Sequence, residues 1–135
     1  MRILVVEGDF ISRRLLCRYL EPFGECDVAI NGTEAVEAVR CGLASGTHYD
    51  LICLDIMMPG MGGQEALGKI RDLEEAIGLS MGNGAQIVMT TALDDHDNIR
   101  QAFSAAADGY VVKPIEKLKF LETLQELGLE VSQAT

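Results

Sequence analysis

The sequence predicts an α/β fold, a doubly wound five-stranded parallel sheet in the order 2-1-3-4-5 with helices on both faces. Three observations carry that reading. Five short apolar runs alternate with longer segments of helical period. The third run, in DLICLD, is apolar throughout instead of alternating, as a strand covered by helices on both faces must be. At 135 residues, 48% hydrophobic and 24% charged, the chain has the length and composition of one globular domain.

The first apolar run, residues 3–6, leads into Ile11, Leu15, Leu16, Tyr19, Leu20 and Phe23, whose spacings of three and four predict a helix capped by Asp9 or Ser12. After a second strand at 28–30, Ala35, Val36, Val39 and Leu43 predict a second helix that starts near Asn31 or Thr33 and ends in the Gly/Ser stretch at 44–47. A third strand at 51–54 precedes a helix over about 64–76 that carries Ala66, Leu67, Ile70 and Leu73. GLSMGNG, at 78–84, has three glycines in seven positions and no usable period, so it reads as a surface loop. A strand at 87–89 is followed by a fourth helix over 95–107, which has few large apolar residues, Ile99 and Phe103, and is expected to pack less deeply. Beyond a fifth strand at 110–112, a fifth helix over about 115–127 is expected to turn Leu118, Leu121, Leu124 and Leu127 inward and to stop at Gly128.

The formal net charge of −10, with 11 Lys and Arg spread thinly, argues against a nucleic-acid or anionic-membrane surface. Cys17, Cys26, Cys41 and Cys53 lack CxxC spacing and His48 and His96 stand apart, so no zinc set forms; the cysteines read as reduced, mostly buried thiols and the histidines as surface residues. No apolar stretch approaches the roughly 20 residues of a membrane span, and no cleavage pattern follows MRILVV, which points to the cytoplasm.

In sheets of this kind ligands bind beyond the carboxyl ends of the strands, where the winding direction switches, here between strands one and three. Strand one ends in Glu7, Gly8 and Asp9, strand three in Asp55, strand four in Thr90 and Thr91, and strand five in Lys113 before Pro114. An acidic cluster with one lysine suits a hard divalent cation and a phosphoryl group. Asp55 is then the candidate nucleophile, forming an acyl phosphate, with Lys113 and Thr91 on the remaining phosphoryl oxygens.

LVVEGD, LDIMMPGMGG, TTA and GYVVKP, in this order, resemble the response-regulator receiver domain, of flavodoxin/CheY-like fold, over residues 2 to about 127. The resemblance implies a receiver domain over 1–128 with a C-terminal tail at 129–135. It implies that Asp55 is the phosphoacceptor, Lys113 the phosphate-binding lysine, Thr91 the switch hydroxyl and Tyr110 the aromatic switch, although a packed strand aromatic explains Tyr110 nearly as well. It further implies Mg²⁺ held by Glu7, Asp55 and the backbone carbonyl of Met57, and a cis Lys113-Pro114 bond. Pro59, Gly62 and Gly63 fit the family's loop after strand three, where the methionines at 57, 58 and 61 read as loop packing.

One position departs from the family. Receivers carry two adjacent acids after strand one; here Glu7 matches the first and Gly8 replaces the second. Asp9 becomes a metal ligand only if the Gly8 backbone turns its side chain inward. Weaker Mg²⁺ binding and slower phosphorylation are expected.

The function implied is a stand-alone receiver, not a turnover enzyme, that takes a phosphoryl group from a sensor histidine kinase or phosphotransfer protein. It would signal to a downstream protein target through the predicted fourth helix, fifth strand and fifth helix, in a phosphorelay or chemotaxis pathway. The alternative is a pseudo-receiver whose contacts do not depend on phosphate. A haloacid-dehalogenase-type phosphatase would show DxD where Met57 stands, and a flavodoxin-type carrier a hydroxyl-rich loop where this chain has EGDFISRR.

Overall fold

The computed structural model describes residues 1–79, 83–92 and 107–130. It contains β1 (Arg2–Val6), α1 (Phe10–Leu20), β2 (Glu25–Ala29), α2 (Gly32–Ser45), β3 (Leu51–Asp55), α3 (Gly63–Ala76), β4 (Gln86–Thr91), β5 (Gly109–Val112) and α4 (Lys117–Glu126). All four strand pairings are parallel and the order is 2-1-3-4-5. The predicted fourth helix over 95–107 and the middle of the 78–84 loop lie outside the described residues; α4 is the predicted fifth helix.

Side-chain alternation sends each strand into two cores. Leu4, Val6, Ile52, Leu54, Ile87 and Met89 face α2 and α3, where Val39, Leu67 and Ile70 meet them. Ile3, Val5, Leu51, Cys53, Val88 and Val111 face α1 and α4, against Leu16, Leu20, Phe120 and Leu124. This explains why β3 is buried at all five residues. Each fully buried aliphatic contributes about 1.5–3 kcal/mol.

The helix starts use the caps the sequence offered. Asp9 accepts the Ser12 N–H at 2.9 Å and Asn31 accepts the Glu34 N–H at 2.8 Å, which resolves both alternatives. Glu34 reaches back to the Ile30 N–H at 2.9 Å. Gly46, at φ +74, closes α2 in the left-handed region.

Some expectations are corrected. Ile11 is 74% exposed and Leu118 80% exposed. Ile11 lies about 140° around the axis from Leu16, and Leu118 about 200° from Phe120, which holds the inward position instead. Leu121 and Leu127 only flank the core. β2 starts three residues earlier than its apolar run because it is an edge strand, and Val28 is 53% exposed. The four cysteines are free, but only Cys53 is buried and Cys41 is exposed. Met58 and Met61 do pack into the core, whereas Met57 is exposed. His48 is exposed, and His96 lies outside the described residues. Among the described residues no helix is long and apolar enough to cross a membrane.

Candidate functional site

β1, β3 and β5 deliver Glu7, Asp55 and Lys113 to one point at the carboxyl rim. Lys113 Nζ lies 3.0 Å from Asp55 Oδ2, with which it hydrogen-bonds, and 2.7 Å from Glu7 Oε2. The Glu7 contact is an ion pair off the hydrogen-bond direction. The sheet ladder extends to hold these groups: the Glu7 N–H donates to Ala29 O at 3.0 Å and the Lys113 N–H to Thr91 O at 2.7 Å. The Lys113-Pro114 bond is cis.

Two carboxylates thus share one ammonium in a half-dry pocket. Burial pushes the Asp55 carboxyl above its ordinary range; the Lys113 hydrogen bond opposes the shift and the Glu7 charge adds to it. Burial works against the Lys113 ammonium, yet its contacts with Glu7 and Asp55 prevail and hold it above the usual lysine value. Asp55 and Lys113 are thus held as a close pair whose ammonium keeps its charge.

The loop after β3 is pinned on both sides of Asp55. Asp55 Oδ1 accepts the Met57 N–H at 3.1 Å, and the Gly63 N–H returns to Ile56 O at 2.9 Å. A Cβ on Gly63 would sit 2.1 Å from Asp55 O, so α3 can start this close to Asp55 only at a glycine.

β4 ends in two adjacent hydroxyls, Thr90 and Thr91. Thr90 pairs in register with Asp55 and with Val111, so its side chain shares the Asp55 face. Its Oγ1 is buried with no hydrogen-bond partner among the described residues. Thr91 stands one residue further, on the opposite face by alternation; its hydroxyl lies 3.5 Å from Ala92 O, at the long limit of a hydrogen bond. Tyr110 is half-exposed on β5, in register with Met89.

The side-chain carboxylates at the rim come from Glu7, Asp9 and Asp55. Glu7 Oε1 accepts the Asp9 N–H at 3.1 Å while Oε2 faces Lys113. Asp9 Oδ2 accepts the Ser12 N–H as the cap of α1, which also lowers the Asp9 pKa. Asp55 and Glu7, with the Met57 carbonyl, remain, and among the described residues no three His, Cys, Asp or Glu side chains are placed to hold a metal.

Arg13 was not foreseen in the sequence. Its Nη1 donates to Glu7 O at 2.9 Å, and it lines the groove shared by Gly8, Asp9 and Asp55. Its position four residues after the Asp9 cap, one helical turn above the strand end, was the available signal.

The chain is similar to known proteins along nearly its whole length. Residues 3–125 match the response regulator receiver domain. The chain is 32% identical to the chemotaxis protein CheY of Halobacterium salinarum over 129 residues, covering 93% of this chain and 95% of that one. It covers half or less of some other curated relatives, a transcriptional regulatory protein and a hybrid histidine kinase among them. The receiver domain of the Arabidopsis thaliana histidine kinase CKI1, complexed with Mg²⁺ and BeF₃⁻, superposes with TM-score 0.79 at 27% identity, covering 94% of this chain and 89% of that one. The Saccharomyces cerevisiae complex of the histidine phosphotransfer protein Ypd1 with the Ssk1 receiver domain matches with TM-score 0.79 at 26% identity, covering 95% and 88%. A buried aspartate and its lysine at the switch point of a 2-1-3-4-5 sheet, together with a match across nearly the whole chain, place this protein in the response regulator receiver domain family.

Proposed function

We propose that residues 1–128 form a receiver, followed by a tail at 129–135, that accepts a phosphoryl group on Asp55 from a phosphohistidine of a sensor histidine kinase or phosphotransfer protein. The carrying observation is the pairing of Asp55, 6% exposed, with Lys113 Nζ at 3.0 Å. In the transfer an Asp55 oxygen forms the O–P bond as the N–P bond to histidine breaks, and the released imidazole takes up a proton from solvent. Lys113, freed from one carboxylate as Asp55 becomes a mixed acyl–phosphoric anhydride, pairs with a non-bridging phosphoryl oxygen.

Thr91 is the hydroxyl that turns to the phosphoryl group, and Tyr110 the aromatic that responds to it. The protein acts in the cytoplasm as a signalling module rather than a turnover enzyme. Its output is contact with a downstream protein through β5, α4 and the predicted helix over 95–107. A groove of about 710 Å³ lined by Tyr110, Val112, Lys119 and Thr123 supports that face. Chemotaxis and other phosphorelays fit equally. Mg²⁺ supplies charge neutralisation in such transfers, and here Asp55, Glu7 and the Met57 carbonyl would hold it weakly.

Incubation with acetyl phosphate, read by intact mass, tests the reading. One phosphoryl adduct is expected, and none on Asp55→Asn. Gly8 favours a second reading, a pseudo-receiver that binds its partners without phosphate; no adduct on the natural sequence, with an adduct on Gly8→Asp, would favour it.

A further inference from the structure

Gly8 and Arg13 meet in one groove of about 740 Å³, lined also by Glu7, Asp9, Asp55 and Met57. Gly8 presents no side chain there, and a Cβ would sit 3.3 Å from Ile30 O. Arg13 enters from α1. Its half-buried guanidinium is steadied by the hydrogen bond to Glu7 O at 2.9 Å and lies 5.6 Å from the Phe10 ring centroid. One of its five N–H donors is used on Glu7, which leaves a planar fork of the shape that pairs phosphate oxygens.

The charges point the same way. Glu7, Asp55 and Lys113 sum to −1, and an arriving phosphoryl group makes the groove more negative still. The carboxylate that would recruit a second cation is absent at Gly8, and Asp9 Oδ2 is engaged by its cap. We propose that Arg13 is a resident cation that takes the place of the metal ion, binding phosphoryl oxygens at the groove and making phosphorylation of Asp55 largely independent of Mg²⁺. The proposal rests on the reading of Asp55 as phosphoacceptor. Arg13 exchanges no proton: the Asp55 oxygen forms the bond to phosphorus, the donor's bond to phosphorus breaks, and acetate leaves when acetyl phosphate is the donor.

The test compares the full chain with Arg13→Gln, Arg13→Lys and Gly8→Asp, each checked for folding by urea denaturation. Labelling by acetyl phosphate is timed by intact mass in Mg²⁺ and in EDTA. The natural protein is expected to label in EDTA within about threefold of its rate in Mg²⁺. Arg13→Gln is expected to slow labelling in EDTA by about tenfold or more, as loss of one charge-assisted contact predicts, with partial rescue by Arg13→Lys. Gly8→Asp is expected to make labelling depend on Mg²⁺. A readout independent of phosphorylation is titration with inorganic phosphate, followed by the Arg13 Nε–Hε NMR resonance, which is expected to shift. Labelling of the natural protein that requires Mg²⁺, an unchanged rate for Arg13→Gln in EDTA, or an unmoved resonance would each overturn the proposal. If no variant labels under any condition, the Asp55 reading fails instead, and the phosphate titration still decides the Arg13 site.

Discussion

Removing the Lys113 ammonium is the sharpest perturbation of the cluster. In Lys113→Met the chain keeps a stem of similar length, but Glu7, with 2% side-chain exposure, and Asp55, with 9%, face each other without a cation. Removing one partner of a fully buried pair costs about 3–5 kcal/mol; with Lys113 29% exposed, solvent screening lowers this to about 2–3 kcal/mol at pH 7.5. The sign with pH follows from proton binding. Without the ammonium, the already raised Asp55 pKa rises further in the folded state and stays ordinary in the unfolded chain. Lowering the pH therefore lets the folded state take up a proton the unfolded state does not bind, and the deficit shrinks toward pH 5. Urea denaturation of both proteins at the two pH values measures this. A deficit below about 1 kcal/mol at pH 7.5, or one that grows toward pH 5, would refute the shared-ammonium cluster.

Other perturbations probe its neighbours. Gly63→Ala drives a Cβ into the Asp55 backbone, so stability should fall by about 2 kcal/mol or more and labelling should slow with it; a neutral effect in both would contradict that close approach. Glu7→Gln removes the repulsion that helps raise Asp55, so the acid limb of the labelling-rate profile should move to lower pH, and an unmoved limb would count against it. Asp9→Asn should weaken α1 at pH 6 while leaving Mg²⁺ affinity unchanged by calorimetry. Because the Asp9 pKa is lowered from 3.8 by the Ser12 cap, that weakening should fade as pH falls through the lowered value; a large loss of Mg²⁺ affinity would make Asp9 a ligand after all. Glu74 is buried, accepts the Ala85 N–H at 2.7 Å and pairs with Arg71; Glu74→Ala should cost about 1–3 kcal/mol by chemical denaturation without changing the labelling rate.

The fold was legible because β1, β3 and β4 carry continuous apolar runs that a doubly covered sheet requires, and because Asp9, Asn31 and Gly46 punctuate the helices where they should. β2 was blurred: an edge strand is half solvated, so Glu25 to Asp27 carry no apolar signal. Helix faces were misjudged at Ile11 and Leu118, where one period fitted both a buried stripe and a protruding end. At the rim, the strand ends singled out Asp55 and Lys113 as neighbours, and the sheet brings them to 3.0 Å of each other. The sequence offered Asp9 as the cap of α1 but could not show that Arg13 turns toward the groove, because side-chain direction is set by packing between α1 and the rim. The Glu74–Arg71–Asp108 network escaped notice for a similar reason: Arg71 and Glu74 are one turn apart on α3, but Asp108 lies 37 residues beyond Arg71 and joins them only where α3 crosses the ends of β4 and β5.

The central claim is that Asp55, paired with Lys113, is the acceptor of a phosphoryl group. Its most direct test labels the protein with a phosphorylated histidine phosphotransfer protein, reduces the acyl phosphate with borohydride and locates the reduced residue by peptide mapping. The account predicts conversion of residue 55 alone, and no conversion in Asp55→Asn. Conversion at Glu7 or Asp9, or unlabelled protein beside a donor that has lost its phosphate to a control receiver, would contradict it.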